Sequence, residues 1–479
     1  MTRTTRRENA PRPENAPRPE DAGESAAALI ATVTGALRRH WAGRGAVLLL
    51  DDFDHRARSL AGELRACGAR VEAVVARTGP GPGAPEVPAS WHCSDAGPRR
   101  SRPEFEAWLR DPSDEVRRWL DARDPERAWQ ALGTPRTGVA AFWGRPVHGW
   151  RRPEWAAVED KTTIDALWSA AGVASPPHLV GDSAEVLRRS GAATALGGPA
   201  GVVVAADSTR GHVGDARGLR WVPRPEEFDG AVRDLAGRSE RVRVARFTDG
   251  VPCSVLGAAL PDGIAVFDPI EIVTLGDPAT GRLLFCGSST HWRPGDAAVE
   301  DIRGAARRAG AELVRATGYR GIFSVDGILT PDGFTATELN PRHASGLGLR
   351  AAHPDFPVYL FNRAVQEELP GLEGVGHAAL ERFVRRAVAA APSYALTVPV
   401  TDAGHPDGRG QLHHDGQVID HHTAHGVTAL SALTPPAADH RAGPACAALA
   451  AHLGDPGLRS FPLDARAAPG SGHRTPTAY

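Results

Sequence analysis

The stretch from Gly318 to Gly348 carries the residue types of a cation-binding site. Its sequence, GYRGIFSVDGILTPDGFTATELNPRHASGLG, predicts a strand, a tight Pro-Asp-Gly turn and a second strand. Because side chains alternate along a strand, Glu338 and Asn340 share one face, and Asp326 on the partner strand can lie opposite them. Two carboxylates and an amide oxygen suit Mg²⁺, which commonly shares nucleotide phosphates in phosphoryl transfer. The alternative is a hairpin with a solvated acidic face.

A second candidate residue is the only lysine of the chain. Lysine and arginine together number 55, and all but Lys161 are arginine. A compact, flexible ammonium is retained where a planar guanidinium would not fit, so we expect a functional role for Lys161, with chance retention as the alternative. It stands in VEDKTTIDALWSAAGVASPP, where an acidic start leads into an amphipathic helix that ends near Gly172.

Length, charge and cysteine usage bound the class of protein. A chain of 479 residues predicts roughly two to four domains. A formal net charge of −2 gives no reason to expect nucleic acid or an anionic membrane as a partner, and no apolar run approaches the length of a membrane span. The five cysteines form no CxxC pair, and no apolar secretory segment begins the chain. We therefore expect reduced thiols, no zinc site and a cytoplasmic protein.

The N-terminal part divides into a tail and a domain. Residues 1–25 are rich in Pro, Arg and Glu and contain ENAPRP twice, which predicts a disordered tail. From Ala26 helices alternate with the apolar strands AVLLL and VEAVV, which predicts a Rossmann-like domain over 26–155. The first strand is not followed by GxGxxG, so we expect neither a dinucleotide site nor an oxidoreductase.

Residues 156–368 form the next predicted domain. Here the strand GVVVAAD is followed by the loop STRGHVG and another strand. Glycine amides in such a loop can wrap a triphosphate, although an ordinary hairpin turn is the alternative. Further strands and the helix VEDIRGAARRAGAELVRATG lead into the hairpin described above. A small α/β domain is predicted over 369–464 and a flexible tail over 465–479.

Five histidines surround an Asp-Gly turn in LHHDGQVIDHHTAHG, namely His413, His414, His421, His422 and His425. Histidine pairs on neighbouring strands could bind a transition metal. Consecutive histidines in a strand face opposite sides, however, so at most half of them could converge. A surface hairpin is the preferred interpretation.

In this order the blocks resemble the ATP-grasp superfamily of carboxylate–amine ligases, and the nearest branch is the actinobacterial peptide ligases of the pheganomycin-ligase type. SVDGI…TELNPR carries the resemblance most strongly, and DKTTIDALWSAAGVASPP supports it. The resemblance covers about residues 159–360. It implies an α/β fold in which two α+β subdomains clasp ATP, preceded by a Rossmann-like domain and followed by a small C-terminal α/β domain.

The resemblance also implies roles for individual residues. Asp326, Glu338 and Asn340 would be the magnesium ligands, and Arg342 the catalytic residue that stabilises charge on the transferring phosphoryl group. The residues implied to bind ATP are Lys161 at the phosphates, Thr209, Arg210, Gly211 and Gly214 in a closing loop, and Ala245, Arg246, Phe247 and Thr248 at the adenine hinge. VVVAAD lacks the second phosphate-binding lysine of the family pattern, and Arg210 or Arg217 could supply that charge.

The implied activity is that of an ADP-forming acid–amino-acid ligase using ATP and Mg²⁺. It would convert a small, amino-acid-like carboxylate into an acyl-phosphate and join it to an amine or a peptide N-terminus, in specialised metabolism such as antibiotic biosynthesis. Arg342 and Arg350 are candidates to hold the substrate carboxylate, and His343 and Ser345 to line the acceptor side. Two alternatives stay open: transfer to a carrier-protein thiol, and a degenerate domain that binds nucleotide without turnover. A homodimer is the default assembly.

Overall fold

Apolar strands separated by amphipathic helices build a parallel sheet in the N-terminal part of the chain. The computed structural model describes residues 19–94, 100–208, 218–237, 239–402, 405–434 and 439–462. The N-terminal elements are α1 (Pro19–Trp41), β1 (Gly45–Leu50), α2 (His55–Ala66), β2 (Arg70–Ala76), β3 (Ala89–His92), α3 (Arg102–Trp108), α4 (Asp114–Asp121), β4 (Gln130–Leu132), β5 (Ala141–Phe142) and β6 (Arg145–Pro146). The sheet order is β3-β2-β1-β4 with parallel pairing, so the predicted Rossmann-like domain is confirmed.

The N-terminal helix is longer than the sequence predicted. It begins at Pro19, whereas the domain was expected to start at Ala26, and residues 1–18 of the expected tail lie outside the described part of the chain. Val33, Leu37 and Trp41 recur along one side of α1 at helical spacing and are fully buried. The apolar stripe therefore anchors the helix to the sheet.

A small antiparallel sheet follows two short helices. The elements of this part are α5 (Pro153–Ala157), α6 (Asp165–Ala171), β7 (His178–Asp182), α7 (Ser183–Arg188), α8 (Ser190–Ala195), β8 (Val202–Ala206), β9 (Leu219–Val222), α9 (Phe228–Ala236) and β10 (Arg241–Arg246). The strand order is β7-β10-β8-β9. Val204 and Val244 belong to the core beneath the sheet, whereas Ala205 and Ala245 face the opposite side. Alternation thus gives the sheet one core face and one free face.

The large sheet receives most of the remaining strands. Its first part comprises β11 (Val251–Leu260), β12 (Gly263–Val266), β13 (Ile270–Asp277), β14 (Arg282–Ser289), α10 (Asp296–Thr317), β15 (Gly321–Thr330) and β16 (Gly333–Asn340). The hairpin of β15 and β16 has the turn at Pro331 and Asp332 that the sequence predicted. Helix α10 covers the face of the sheet away from the small sheet, with Ala305, Ala306 and Ala309 buried against it. Small side chains allow that close approach.

The C-terminal strands extend the same sheet. A small α/β domain was predicted over 369–464, and the strands of this region join the large sheet through the pairing of β14 with the strand Tyr394–Pro399. The elements after the hairpin are α11 (Leu349–Ala352), α12 (Val358–Gln366), α13 (His377–Ala390), β17 (Tyr394–Pro399), β18 (Gly408–His414), β19 (Gln417–Ala424), β20 (Val427–Thr434), α14 (Gly443–His452) and β21 (Arg459–Ser460). The sheet order is β16-β15-β11-β13-β14-β17-β20-β19-β18, with β12 and β21 beside β11 and β13. The expected tail over 465–479 lies outside the described residues.

One hydrophobic cluster joins the N-terminal domain to the large sheet. It contains Leu37 and Leu64 from α1 and α2 together with Leu360, Phe361 and Val384 from α12 and α13. A shared buried core resists rigid-body separation, because parting the two faces would expose apolar surface to water. The N-terminal domain is therefore a fixed wall beside the large sheet.

The structure shows the state of the cysteines and the length and character of the described helices. The five cysteines, Cys67, Cys93, Cys253, Cys286 and Cys446, are free and buried. The described helices include none with the length and apolar character needed to cross a bilayer.

His148, a buried histidine of the N-terminal domain, predicts that the stability of the fold is sensitive to acid. The ring of His148 stacks on His40 at 5.0 Å between centroids and meets the edge of Trp41. Burial and the neighbouring His40 and Arg363 lower the pKa of His148 to about 3. The unfolded chain takes up a proton near pH 6.5 but the folded protein does not, so this residue removes stability as pH falls from 6.5 towards 3.

We predict that His148→Phe reduces the acid sensitivity of folding. Phenylalanine keeps an aromatic ring beside His40 but cannot take up a proton in the unfolded state. Between pH 6.5 and 5.5 the variant should lose about 1 kcal/mol less of its free energy of unfolding than wild type. Urea titrations of both proteins in the same two buffers measure the difference. Equal losses in both proteins would contradict the assignment to His148.

Candidate active site

A cavity of about 390 Å³ lies between the free face of the small sheet and the facing side of the large sheet. The small sheet contributes side chains from β8, β9 and β10, and the large sheet contributes side chains from β11, β13, β14, β15 and β16. The charged residues that line it are Arg136, Lys161, Arg243, Arg246, Asp326, Glu338 and Arg342. Charge is thus concentrated in a space otherwise walled by apolar strands, as in sites that bind a polar ligand.

The two carboxylates singled out in the sequence lie opposite each other. Asp326 and Glu338 are cross-strand partners, and the register shifts immediately after Asp326. Ser254 on β11 donates its hydroxyl to Asp326 Oδ1 at 2.6 Å, and Asn340 donates its amide to Oδ2 at 3.1 Å. The predicted face is therefore real, but Asn340 presents its nitrogen to Asp326.

The electrostatics of this pair fit a divalent cation. Desolvation and the adjacent Glu338 raise the pKa of Asp326 to about 6, because two close negative charges oppose each other in the cavity wall. Carboxylate oxygens are the donors that Mg²⁺ prefers, and a cation between them would relieve this repulsion. The donor set of Asp326 and Glu338 thus matches the predicted metal. Asn340 would have to turn its amide oxygen towards them to complete it.

Lys161 reaches the same point from the other side of the cavity. Its Nζ lies 2.8 Å from Glu338 Oε2. The sequence placed Lys161 at the start of a helix, and the structure puts it in the turns before α6, which ends at Gly172 in the left-handed conformation. The ammonium therefore stands beside the predicted metal ligands, where the phosphates of a bound nucleotide would meet a cation.

Arg342 is held by a buried ionic chain. Its Nη2 donates to Asn340 Oδ1 at 2.7 Å, and its Nε donates to Glu159 Oε1 at 3.0 Å. The other oxygen of Glu159 lies 2.9 Å from Arg151 Nη2, and Glu159 is only 3% exposed. One carboxylate between two guanidiniums fixes the arginine that faces the cavity. Glu159 belongs to the acidic start of the Lys161 motif but was not assigned a role from the sequence, and Arg151 stands in no motif.

Asp160 connects the Lys161 segment to the small sheet. Its Oδ1 accepts hydrogen bonds from the backbone N–H and the hydroxyl of Thr162, and its Oδ2 accepts one from the backbone N–H of Ser208 at 2.9 Å. Ser208 lies two residues after the end of β8, immediately before the predicted closing loop. The loop residues Thr209, Arg210, Gly211, Gly214 and Arg217 lie outside the described part of the chain.

The predicted hinge lies at the edge of the cavity. Ala245, Arg246, Phe247 and Thr248 all line it. The Phe247 ring stacks on Trp221 at 4.3 Å between centroids with an interplanar angle of 17°, and its backbone N–H donates to Gly201 at 3.0 Å. A flat apolar wall beside a strand end is a suitable surface for a planar ring. The four residues predicted to form the adenine hinge therefore line the cavity beside this aromatic pair.

Other predicted substrate residues lie elsewhere. Arg350 donates to the hydroxyl of Ser59 in the N-terminal domain and lies over the Tyr359 ring, and the cavity lining does not include it. His343 is buried against Tyr359, and burial lowers its pKa to about 3. Of the RHASGLG stretch, the cavity is lined by Arg342, Ala344 and Gly346.

Two arginines of the cavity were missed by sequence analysis. Arg136 follows β4 in the N-terminal domain, and Arg243 lies within β10. Neither carries a sequence signal, because each reaches the cavity only through the packing of distant segments. Arg136 is the N-terminal domain's contribution to the lining among the residues that the structure describes.

The histidine-rich segment forms the expected hairpin. Strands β18 and β19 meet at the turn of Asp415 and Gly416, and of the five histidines only His421 is buried. Within the described ranges, no three histidine, cysteine or carboxylate side chains are placed to hold a metal ion.

The ionic chain predicts a large stability loss for Glu159→Gln. Glutamine keeps the shape but removes the anion between Arg151 and Arg342, and leaves two cations facing each other with little solvent around them. We expect the free energy of unfolding to fall by about 3 kcal/mol in urea titrations. Glu154→Gln is the matched control, since Glu154 lies exposed on α5 nearby. A change below about 0.5 kcal/mol at Glu159 would contradict this account.

Solved structures with the same architecture exist, although no family model and no curated protein matches the chain. The L-amino acid ligase of Bacillus licheniformis aligns over 88% of this chain and 100% of its own, with 13% identity and a TM-score of 0.50. The N5-carboxyaminoimidazole synthase of Aspergillus clavatus was solved with ADP and 5-aminoimidazole ribonucleotide. It aligns over 81% of this chain and 94% of its own, with 12% identity and a TM-score of 0.48. At such identities a structural likeness shows a shared fold alone. We base the fold assignment on the L-amino acid ligase, whose TM-score is 0.50. The chain therefore has the predicted ATP-grasp fold, preceded by a Rossmann-like domain.

Proposed function

We propose that this protein is an ATP-dependent ligase that joins a small, amino-acid-like carboxylate to an amine or a peptide N-terminus and releases ADP and phosphate. The single observation that carries the proposal is the convergence of Asp326, Glu338, Lys161 and Arg342 in one cavity between two sheets. An acidic pair with an ammonium and a guanidinium beside it is an arrangement suited to phosphoryl transfer.

Each residue has a role that follows from its surroundings. Asp326 and Glu338 would hold Mg²⁺, which when bound neutralises charge on the nucleotide phosphates. Lys161 Nζ, 2.8 Å from Glu338, would contact those phosphates. Arg342 is fixed by Glu159, so its guanidinium needs little rearrangement to oppose charge on the transferring phosphoryl group.

The proposed reaction has two steps. A carboxylate oxygen of the substrate attacks the γ-phosphorus of ATP, the bond to ADP breaks, and an acyl-phosphate forms. The amine nitrogen then attacks the acyl carbon, phosphate leaves with the bonding electron pair, and the nitrogen loses a proton. No side chain needs to become covalently attached, so positioning and charge stabilisation supply the rate enhancement. Exclusion of water by the two sheets would protect the acyl-phosphate from hydrolysis.

Arg136 is our candidate for the substrate carboxylate. It lines the cavity from the N-terminal domain, and Arg342 and Lys161 line the same cavity from other segments. A guanidinium can hold a carboxylate with two parallel hydrogen bonds. We assign this role to Arg136 and not to Arg350, because Arg350 contacts Ser59.

The resemblance of the sequence to peptide ligases of the pheganomycin type supports a peptide or amino-acid amine as the acceptor. The five free cysteines are compatible with the cytoplasm.

Two other functions share this site. Transfer of the acyl group to a carrier-protein thiol would use the same activation and give a thioester. A domain that binds nucleotide without turnover is favoured by the absence of lysine from β8, which reads VVVAA. The intact acidic pair of Asp326 and Glu338 argues against loss of turnover.

We predict that Glu338→Gln strongly slows substrate-dependent phosphate release. Phosphate release from ATP and Mg²⁺ is measured over a panel of amino acids and short peptides, and mass spectrometry identifies the product of the best pair. The variant should be slower by about a hundredfold, because one of two metal-binding carboxylates is lost. Asp332→Asn is the control, since Asp332 lies exposed in the turn of the same hairpin.

The outcomes separate the three functions. An amide product whose formation requires Glu338 supports the ligase. A thioester formed only with a carrier protein supports the second function. Magnesium-dependent ATP binding with no phosphate release for any pair or carrier supports the binding module, and turnover that survives Glu338→Gln contradicts the proposed site.

A further inference from the structure

The small sheet carries a buried cation on its cavity face. Arg243 lies in the middle of β10 and is 6% exposed, and its side chain lines the cavity together with that of Ala245 on the same strand. Val242 and Val244, which alternate with it, point into the opposite core. A lysine or arginine is rarely buried unless it has a partner or a function. We propose that Arg243 binds the polyphosphate of the nucleotide from the small-sheet wall, an inference that rests on the proposed function.

The strand register places Arg243 along the expected path of that polyphosphate. Strand β10 runs into the hinge, and Arg243 precedes Ala245 by two residues, about 7 Å along the strand. The cross-strand partner of Arg243 on β8 is Ala205, which also lines the cavity. The methyl group of Ala205 leaves the space above the sheet open for the long arginine side chain. β10 therefore supplies a cation to the cavity two residues before the hinge, although β8 itself provides none.

The partner of Arg243 orients the guanidinium without using all of its donors. Asp165 accepts two hydrogen bonds, from Nε at 2.6 Å and from Nη2 at 2.8 Å, and His178 Nε2 lies 3.3 Å from the same carboxylate. A guanidinium has five N–H groups, so a bidentate carboxylate leaves three for another acceptor. Asp165 is the first residue of α6, the helix that follows Lys161. Arg243 and Lys161 are thus attached to the same helix end.

The other cations of the cavity already interact with protein groups, so the phosphates of a bound nucleotide would need a further cation. Lys161 lies against Glu338, and Arg342 is shared between Glu159 and Asn340. These interactions already offset much of the positive charge of Lys161 and Arg342. Arg246, the other arginine contributed by β10, donates its Nε to the carbonyl of Leu196. Arg243 is therefore the small-sheet side chain best placed to oppose phosphate charge from the second wall.

Calorimetric titrations with ATP, ADP and adenosine test this role in the full chain. Arg243→Gln should weaken ATP binding by about ten- to a hundredfold, the equivalent of one or two charge-assisted hydrogen bonds, and adenosine binding by less than about twofold. Arg243→Lys should recover part of the loss. Arg241→Gln is the matched control, because Arg241 lies exposed on the same strand and the cavity lining does not include it.

A second variant distinguishes phosphate binding by Arg243 from a purely structural role of its ion pair with Asp165. Asp165→Asn breaks the ion pair but leaves the cation of Arg243 in place, so ATP affinity should be retained or increased. If Arg243 only connects α6 to the small sheet, Asp165→Asn and Arg243→Gln should weaken ATP and adenosine alike. That result, or unchanged ATP affinity in Arg243→Gln, would overturn the inference. Wild type that does not bind ATP at all would instead refute the proposed function.

Discussion

The repulsion between Asp326 and Glu338 is the constraint on which the rest of the site depends. Two carboxylates face each other across neighbouring strands, and burial makes their charges costly unless positive charge stands close by. Lys161 and Arg342 supply it, and Arg342 in turn is positioned by Glu159 and Arg151. Arg151, Glu159 and Lys161 come from one short segment, and Arg342 comes from a segment far from it in the sequence. The packing of those segments is therefore what makes the acidic pair compatible with a folded protein.

The two sheets create the cavity by the same alternation of side chains. Along the strands that border it, core residues largely alternate with residues that face the cavity. On the small sheet this leaves Ala205 and Ala245 beside Arg243, so the wall is shallow except where the guanidinium stands. Asp160 and Asp165 both connect the segment around Lys161 to the small sheet. A movement of the small sheet would therefore also shift the segment that carries Lys161.

The N-terminal domain belongs to the site as well as to the fold. Its core is continuous with that of the large sheet, so the loop after β4 is held against the cavity and Arg136 enters the lining. Binding sites at the junction of domains can be specified by loops without changing either core. Under the proposed function, the N-terminal domain takes part in substrate binding through Arg136.

The sequence alone determined the hairpin and the class of fold. The tight turn sets the register of the strands as far as the pair of Gly327 and Ala336, whereas the register shift between Asp326 and Gly327 brings Asp326 opposite Glu338. The helix end at Gly172 and the Rossmann-like sheet are equally local patterns. Only the tertiary structure decided that β18 to β20 extend the large sheet, that Arg350 turns to Ser59, and that Arg136 and Arg243 reach the cavity. Those contacts join strands and loops distant in sequence, and no local spacing encodes which of 54 arginines will lie beside which wall.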